Sequence, residues 1–135
     1  MSKVLVLTLF VVSVTSTVLA QDPVKVDAKH YTLEFENDEV RVLRIKVGPN
    51  EKSVMHKHPN AVAIFLTEVN GKFTFPDGTS LDVTSKAGEA RWTSAITHLP
   101  ENKSDQPFEV ILVELKSKAT AKRSVKKPYN MSARK

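Results

Sequence analysis

No window of this chain carries an apolar stripe at helical spacing over three turns, and turn signals recur along it at short, regular intervals. Those two features limit it to a fold built from short strands. Residues 30–35 alternate and stop at Glu36-Asn37-Asp38, and residues 40–47 are rich in β-branched side chains and end at Gly48-Pro49-Asn50. A histidine-bearing run follows and breaks at Pro59-Asn60. Residues 61–69 are almost continuously apolar, the pattern of a strand buried on both faces. Asn70-Gly71 predicts a tight hairpin from that run into residues 72–75. Further turns at Pro76-Asp77-Gly78-Thr79 and Lys86-Ala87-Gly88-Glu89 bound residues 80–84 and 90–93. A polar loop over 99–106 precedes a last strand over 108–115. Eight or so short strands in this order predict an all-β sandwich or barrel.

The ends of the chain are of a different kind. Met1-Ser2-Lys3, an apolar run over 4–14 and the small-residue exit Val18-Leu19-Ala20 have the layout of a secretory signal peptide, cleaved near Ala20. The apolar run is short for a bilayer span and is broken by Ser13, Thr15, Ser16 and Thr17, so no transmembrane span is expected in the mature chain. An exported protein, periplasmic or secreted, is the expectation. With no cysteine, stability must come from burial, helped by a metal if one binds. Of the twenty basic residues, eight lie at or after Lys116, where there is no acid, and one is Lys3. The remaining eleven face fifteen acids between Gln21 and Leu115, a net of −4. The high pI therefore belongs to a solvated, flexible tail on a mildly acidic body, which argues against a specific nucleic-acid surface. The expected organisation is a signal peptide over 1–20, a polar leader and first strand over 21–32, a barrel over 33–116 and a basic tail over 117–135.

Within the body, His56 and His58 are two residues apart and share one strand face, which Val54 would share too. Two imidazoles side by side can begin a divalent metal site, and His98, forty residues later, is the third candidate if the sheet closes on itself. The bland alternative is that His56 and His58 hydrogen-bond in the barrel and His98 lies in an exposed loop. His30 reads as an ordinary surface residue. Arg91 and Trp92 fall on opposite faces of one strand. Trp92 turned inward would be core or pocket wall, and Arg91 turned inward would grip an anion. Phe65, Phe73, Phe75 and Phe108 read as core packing. Glu68, Glu89 and Glu101 are the acids nearest these residues, and none is assigned as a base. Nucleophilic and phosphate-cradling motifs are absent.

Two stretches resemble the motifs of the cupin superfamily of small jelly-roll barrels. One runs from Gly48 over seven residues to His56-Lys57-His58 and on to Gly71; the other runs from Gly88 over nine residues to His98 and over three more to Asn102. The resemblance implies a single double-stranded β-helix, with His56, His58 and His98 as ligands of a divalent ion (iron, zinc, copper, nickel or manganese). Asn102 would hold its loop or orient His98. The family's glutamate ligand has no counterpart, since its place is taken by Val62, Ala63 and Ile64, and the second motif's proline is missing. Water or substrate would complete a three-histidine shell. Homodimers are common in the family. Two functions follow as expectations: a metal-dependent, dioxygenase-like enzyme acting on a small organic molecule in the barrel, or a non-catalytic envelope protein binding a small ligand or metal there.

Overall fold

The last of the described strands is the middle of the larger sheet. In a computed structural model that describes residues 21–117, β9 (Phe108–Leu115) lies between β2 (Val40–Val47) and β4 (Ala61–Phe65). The sheet is completed by β1 (Tyr31–Glu36) beyond β2 and β7 (Ala90–Thr93) beyond β4. The second sheet has the order β3 (His56–His58), β8 (Ile96–Asn102), β5 (Val69–Thr74), β6 (Ser80–Ser85). Every pairing between named strands is antiparallel. The expected signal peptide and all but the first residue of the expected tail lie outside the described residues.

Alternation decides what fills the space between the sheets. Leu43, Ile45 and Val47 of β2, Phe108, Val110 and Leu112 of β9, and Ala61 and Phe65 of β4 are buried on one side of the larger sheet. Val69 reaches the same core from the smaller one. The expectation that residues 61–69 form one strand buried on both faces fails: β4 ends at Phe65, and Val62 and Ile64 on its other side are only half-buried.

The predicted Asn70-Gly71 hairpin is not there. Both residues lie inside β5, and the chain turns earlier, at Leu66-Thr67, where both amides donate to the Glu109 carbonyl. Gly71 is required by close packing instead, because a Cβ there would sit 2.7 Å from the backbone oxygen of Glu101. Gly71→Ala should therefore lower stability by roughly 1–3 kcal/mol, read as a shift in the urea midpoint. The loop expected over 99–106 is likewise mostly strand, since β8 continues to Asn102. Two other predicted turns form as expected, with Gly78 and Gly88 at φ +83° and +85°.

The polar leader is packed rather than loose. Asp22 caps a short helix, α1 (Pro23–Val26), Pro23 and Asp27 are buried, and the Gln21 carbonyl accepts from the Lys57 amide of β3. His30, expected on the surface, is 6% exposed. Its Nδ1 meets Asp27 Oδ2 at 2.7 Å and its Nε2 meets Glu51 Oε2 at 2.9 Å. Asp27 also accepts from the Ser53 hydroxyl, so this small polar network fastens the leader to the loop before β3.

Candidate metal centre

The short strand β3 presents His56 and His58 to the interior and Lys57 to solvent, as its period of two requires. Val54 precedes the strand and is 45% exposed, so it does not share their face as expected. Pairing of β3 with β8 sets His98 directly opposite His56. His98 is thus a strand residue, 6% exposed, and not a loop histidine. One ring nitrogen from each of the three lies within 4.8 Å of the others. The sheet pairing, and no local motif, brings the distant third imidazole to the first two.

Hydrogen bonds fix which nitrogens point inward. His56 Nδ1 donates to the Val54 carbonyl at 2.8 Å, and His58 Nδ1 donates to Glu114 Oε1 at 2.6 Å. A neutral imidazole that donates from Nδ1 carries a lone pair on Nε2. The two Nε2 atoms face one another at 3.0 Å. With both rings neutral no hydrogen lies between them, and that arrangement is repulsive unless a cation takes up the lone pairs. For metal–nitrogen bonds of ~2.1 Å, ligands at right angles stand ~3.0 Å apart. Both ring nitrogens of His98 are buried without a hydrogen-bond partner. A divalent ion among the three would supply what all of these nitrogens lack, so the donor set fits a metal.

The electrostatics agree. Burial, then the neighbouring His58, pushes His56 down to about 4. Burial, then His58 and His56, pushes His98 down to about 2. These rings stay neutral and available as ligands well below neutral pH.

Glu114, which touches the candidate site through His58, is the residue that the sequence reading missed. It is 3% exposed and is held on its other oxygen by Arg41 Nη1 at 3.4 Å, while Arg41 Nη2 donates to Asp22 at 2.8 Å. A chain of charges therefore runs from the cap of α1 to His58. The available signal was phase: Glu114 falls in the same alternation as Phe108, Val110 and Leu112, the buried row of β9. Glu68, Glu89 and Glu101 are elsewhere; Glu68 is exposed, Glu89 pairs with Arg91, and Glu101 pairs with Lys103 and Lys72.

Asn102 is 1% exposed, but it does not touch His98. Its amide donates to the carbonyls of Gly48 and Gln106 at 2.9 and 2.8 Å, and its oxygen accepts from the Ser104 amide at 3.0 Å. It holds the loop after β8, one of the two roles expected for it.

Beside the histidines lies a cavity of about 190 Å3, walled by Tyr31, Phe65, Phe73, Val83, Ile96 and Leu112, with His58 and His98 opening onto it. It is slightly larger than the ~150 Å3 that holds benzene in an engineered core. Tyr31 is 2% exposed and stacks edge-on against His56 with ring centres 4.7 Å apart. Burial raises its phenol far above the ordinary value, so it remains protonated. Arg91 is opposite Ala63 and so faces inward, its guanidinium 5.5 Å from the centre of the Phe65 ring at the mouth. Trp92 is opposite Val62, faces outward and is 57% exposed, so it is not core and reaches only the rim of the cavity.

No family model and no curated protein sequence matches the chain. Solved structures do match it. A cupin domain from Bordetella pertussis Tohama I superposes with a TM-score of 0.60 at 22% identity, over 64% of this chain and 92% of that one. A conserved protein with a double-stranded β-helix domain from Klebsiella pneumoniae gives 0.51 at 17% identity, over 63% of this chain and 74% of that one. An RmlC-like cupin family protein from Methanocaldococcus jannaschii gives 0.50 at 18% identity, over 66% and 83%.

Proposed function

This chain has the cupin fold, and from that premise we propose that it binds a divalent metal through His56, His58 and His98 and holds a small organic molecule beside it. The observation that carries the reading is the convergence of three buried imidazoles within 4.8 Å, with both ring nitrogens of His98 left without a hydrogen-bond partner. A bound ion with open positions would act as a Lewis acid or bind O2. The protein's own residues do the rest. Glu114 fixes the tautomer of His58 and increases its donor strength. Phe65, Phe73 and Leu112 make its walls apolar, and among the described residues Arg91 is the one lysine, arginine, aspartate or glutamate on them. Because Arg91 is already paired with Glu89, the walls favour a small, largely apolar organic molecule. Oxygen-dependent cleavage of such a molecule is the most concrete enzymatic form.

A non-catalytic binding protein is the second reading, favoured by one feature: among the described residues no carboxylate lines the cavity to serve as a general base. In either form the protein would act after export, with cleavage near Ala20, a reading supported by the apolar run over 4–14 and its small-residue exit.

Elemental analysis of the purified protein is expected to find about one transition-metal ion per chain, and none in His56→Ala/His58→Ala. An unmutated protein that stays free of metal after dialysis against iron, zinc, copper, nickel and manganese in turn would sink the proposal.

A further inference from the structure

The strand that carries two of the three histidines is short and stands at a sheet edge. β3 is three residues long, and β8 pairs with one side of it. Among the described residues, the one backbone pairing on its other side is with the leader. Gln21 bridges His56, and the Gln21 carbonyl accepts from the Lys57 amide at 3.2 Å. A second link runs through side chains. Asp22 accepts from the Val24 amide at 3.1 Å and from Arg41 Nη2 at 2.8 Å, and Arg41 Nη1 reaches Glu114, the partner of His58. Both ligands on β3 are therefore tied to the leader, His56 through the backbone and His58 through Glu114 and Arg41.

The leader itself is held largely by contacts that water can replace. Of residues 21–30 the buried ones are Pro23, Asp27 and His30, and the two polar ones are met by Ser53 and Glu51. Val24 adds a partly buried contact with the core. A segment that buries so little apolar surface opens at lower cost than the sheets beneath it. We infer that residues 21–30 form a latch on the metal centre, whose docking positions His56 and His58 and which a bound metal closes in return. The inference rests on the metal-binding reading above. Undocking would leave β3 held along one side only and Arg41 without Asp22, so the two imidazoles would lose their fixed spacing. Metal then binds the docked form more tightly, and reciprocity requires that it hold the leader down by the same factor. In metal-free protein the leader lifts more often, which uncovers the outer edge of β3. Asp22 and Arg41 are positioning residues in this arrangement.

Hydrogen exchange of the purified protein, in chelator and with zinc, tests the latch. The amides of Lys25, Val26 and Asp27 donate within the leader, to the carbonyls of Asp22 and Pro23, so zinc reaches them only through docking. They are expected to exchange about 5–150-fold more slowly with zinc, while the Phe75 amide, bonded to Thr79 in a turn of the other sheet, keeps its rate. Asp22→Ala/Asp27→Ala removes the helix cap and the carboxylate shared by His30 and Ser53. This variant should bind zinc more weakly by a matching factor while keeping the circular dichroism spectrum of the barrel. Leader amides indifferent to zinc, in protein that binds it, would overturn the latch and leave the metal reading standing. A double variant whose leader amides exchange freely, yet which binds zinc as tightly as the parent, would overturn it too. Protein that takes up neither zinc nor iron, copper, nickel or manganese would remove the metal reading and the latch together.

Discussion

Glu114→Ala is expected to destabilise the metal-free protein by about 3–5 kcal/mol and to weaken metal binding about 10–100-fold. The carboxylate accepts from His58 on one oxygen and from Arg41 on the other, at 3% exposure. Its removal strands a buried ring N–H and a largely buried guanidinium at once. The ring of His58 then also loses the bond that keeps its Nε2 turned toward His56. Glu114→Gln separates the two effects. An amide oxygen still accepts from His58, so most of the folding loss should be recovered, whereas the lost negative charge should leave metal binding weakened. Urea unfolding in chelator and titration with zinc measure the two quantities. An alanine variant with the parent's midpoint and affinity would mean that Glu114 does not position His58.

The second large effect is the acid sensitivity of the metal-free fold. His56 and His98 titrate at about 4 and about 2 when folded, against 6.5 for the free side chain. Because the folded values are depressed, the unfolded chain binds more protons below pH 6.5. The stability tied to these rings is fully present above that pH and is lost as pH falls toward the folded values. At pH 5 each ring is about 1.5 pH units into that window, which amounts to a combined loss of roughly 4 kcal/mol relative to neutral pH. Urea midpoints at pH 7 and pH 5 in chelator should differ accordingly, and His98→Leu should remove about half of the difference. Equal midpoints at the two pH values would contradict the neutral, desolvated state of the rings.

How much of this was legible in the sequence depends on whether a signal was local. His-x-His was readable because two residues on a strand share a face whatever the strand pairs with. The third imidazole needed the pairing of β3 with β8, which no local pattern encodes, and it was reached by supposing that the sheet closes on itself, with the order of the two family motifs in support. Glu114 was overlooked because an acid between Val113 and Leu115 reads as the solvent side of an alternating strand. Only the phase of the whole run, counted from Phe108, shows that it points inward. Asn70-Gly71 misled because a hairpin dipeptide and a glycine crowded by a neighbouring carbonyl look alike until the second strand is known. His30 looked exposed because its partners, Asp27 and Glu51, meet it only once the leader folds back.

The central position of β9 has a kinetic consequence. β2 and β4 are not paired with each other; both are joined through β9, the last of the described strands. Until residue 115 has left the ribosome, the larger sheet has no middle, and no earlier fragment can close a core between two sheets. Long-range pairing of this kind is slow and begins only when the whole body is available. The larger sheet of such a chain can be completed only after nearly all of the barrel has been made. Glu114 lies on β9, so His58 gains this partner only when that strand is in place.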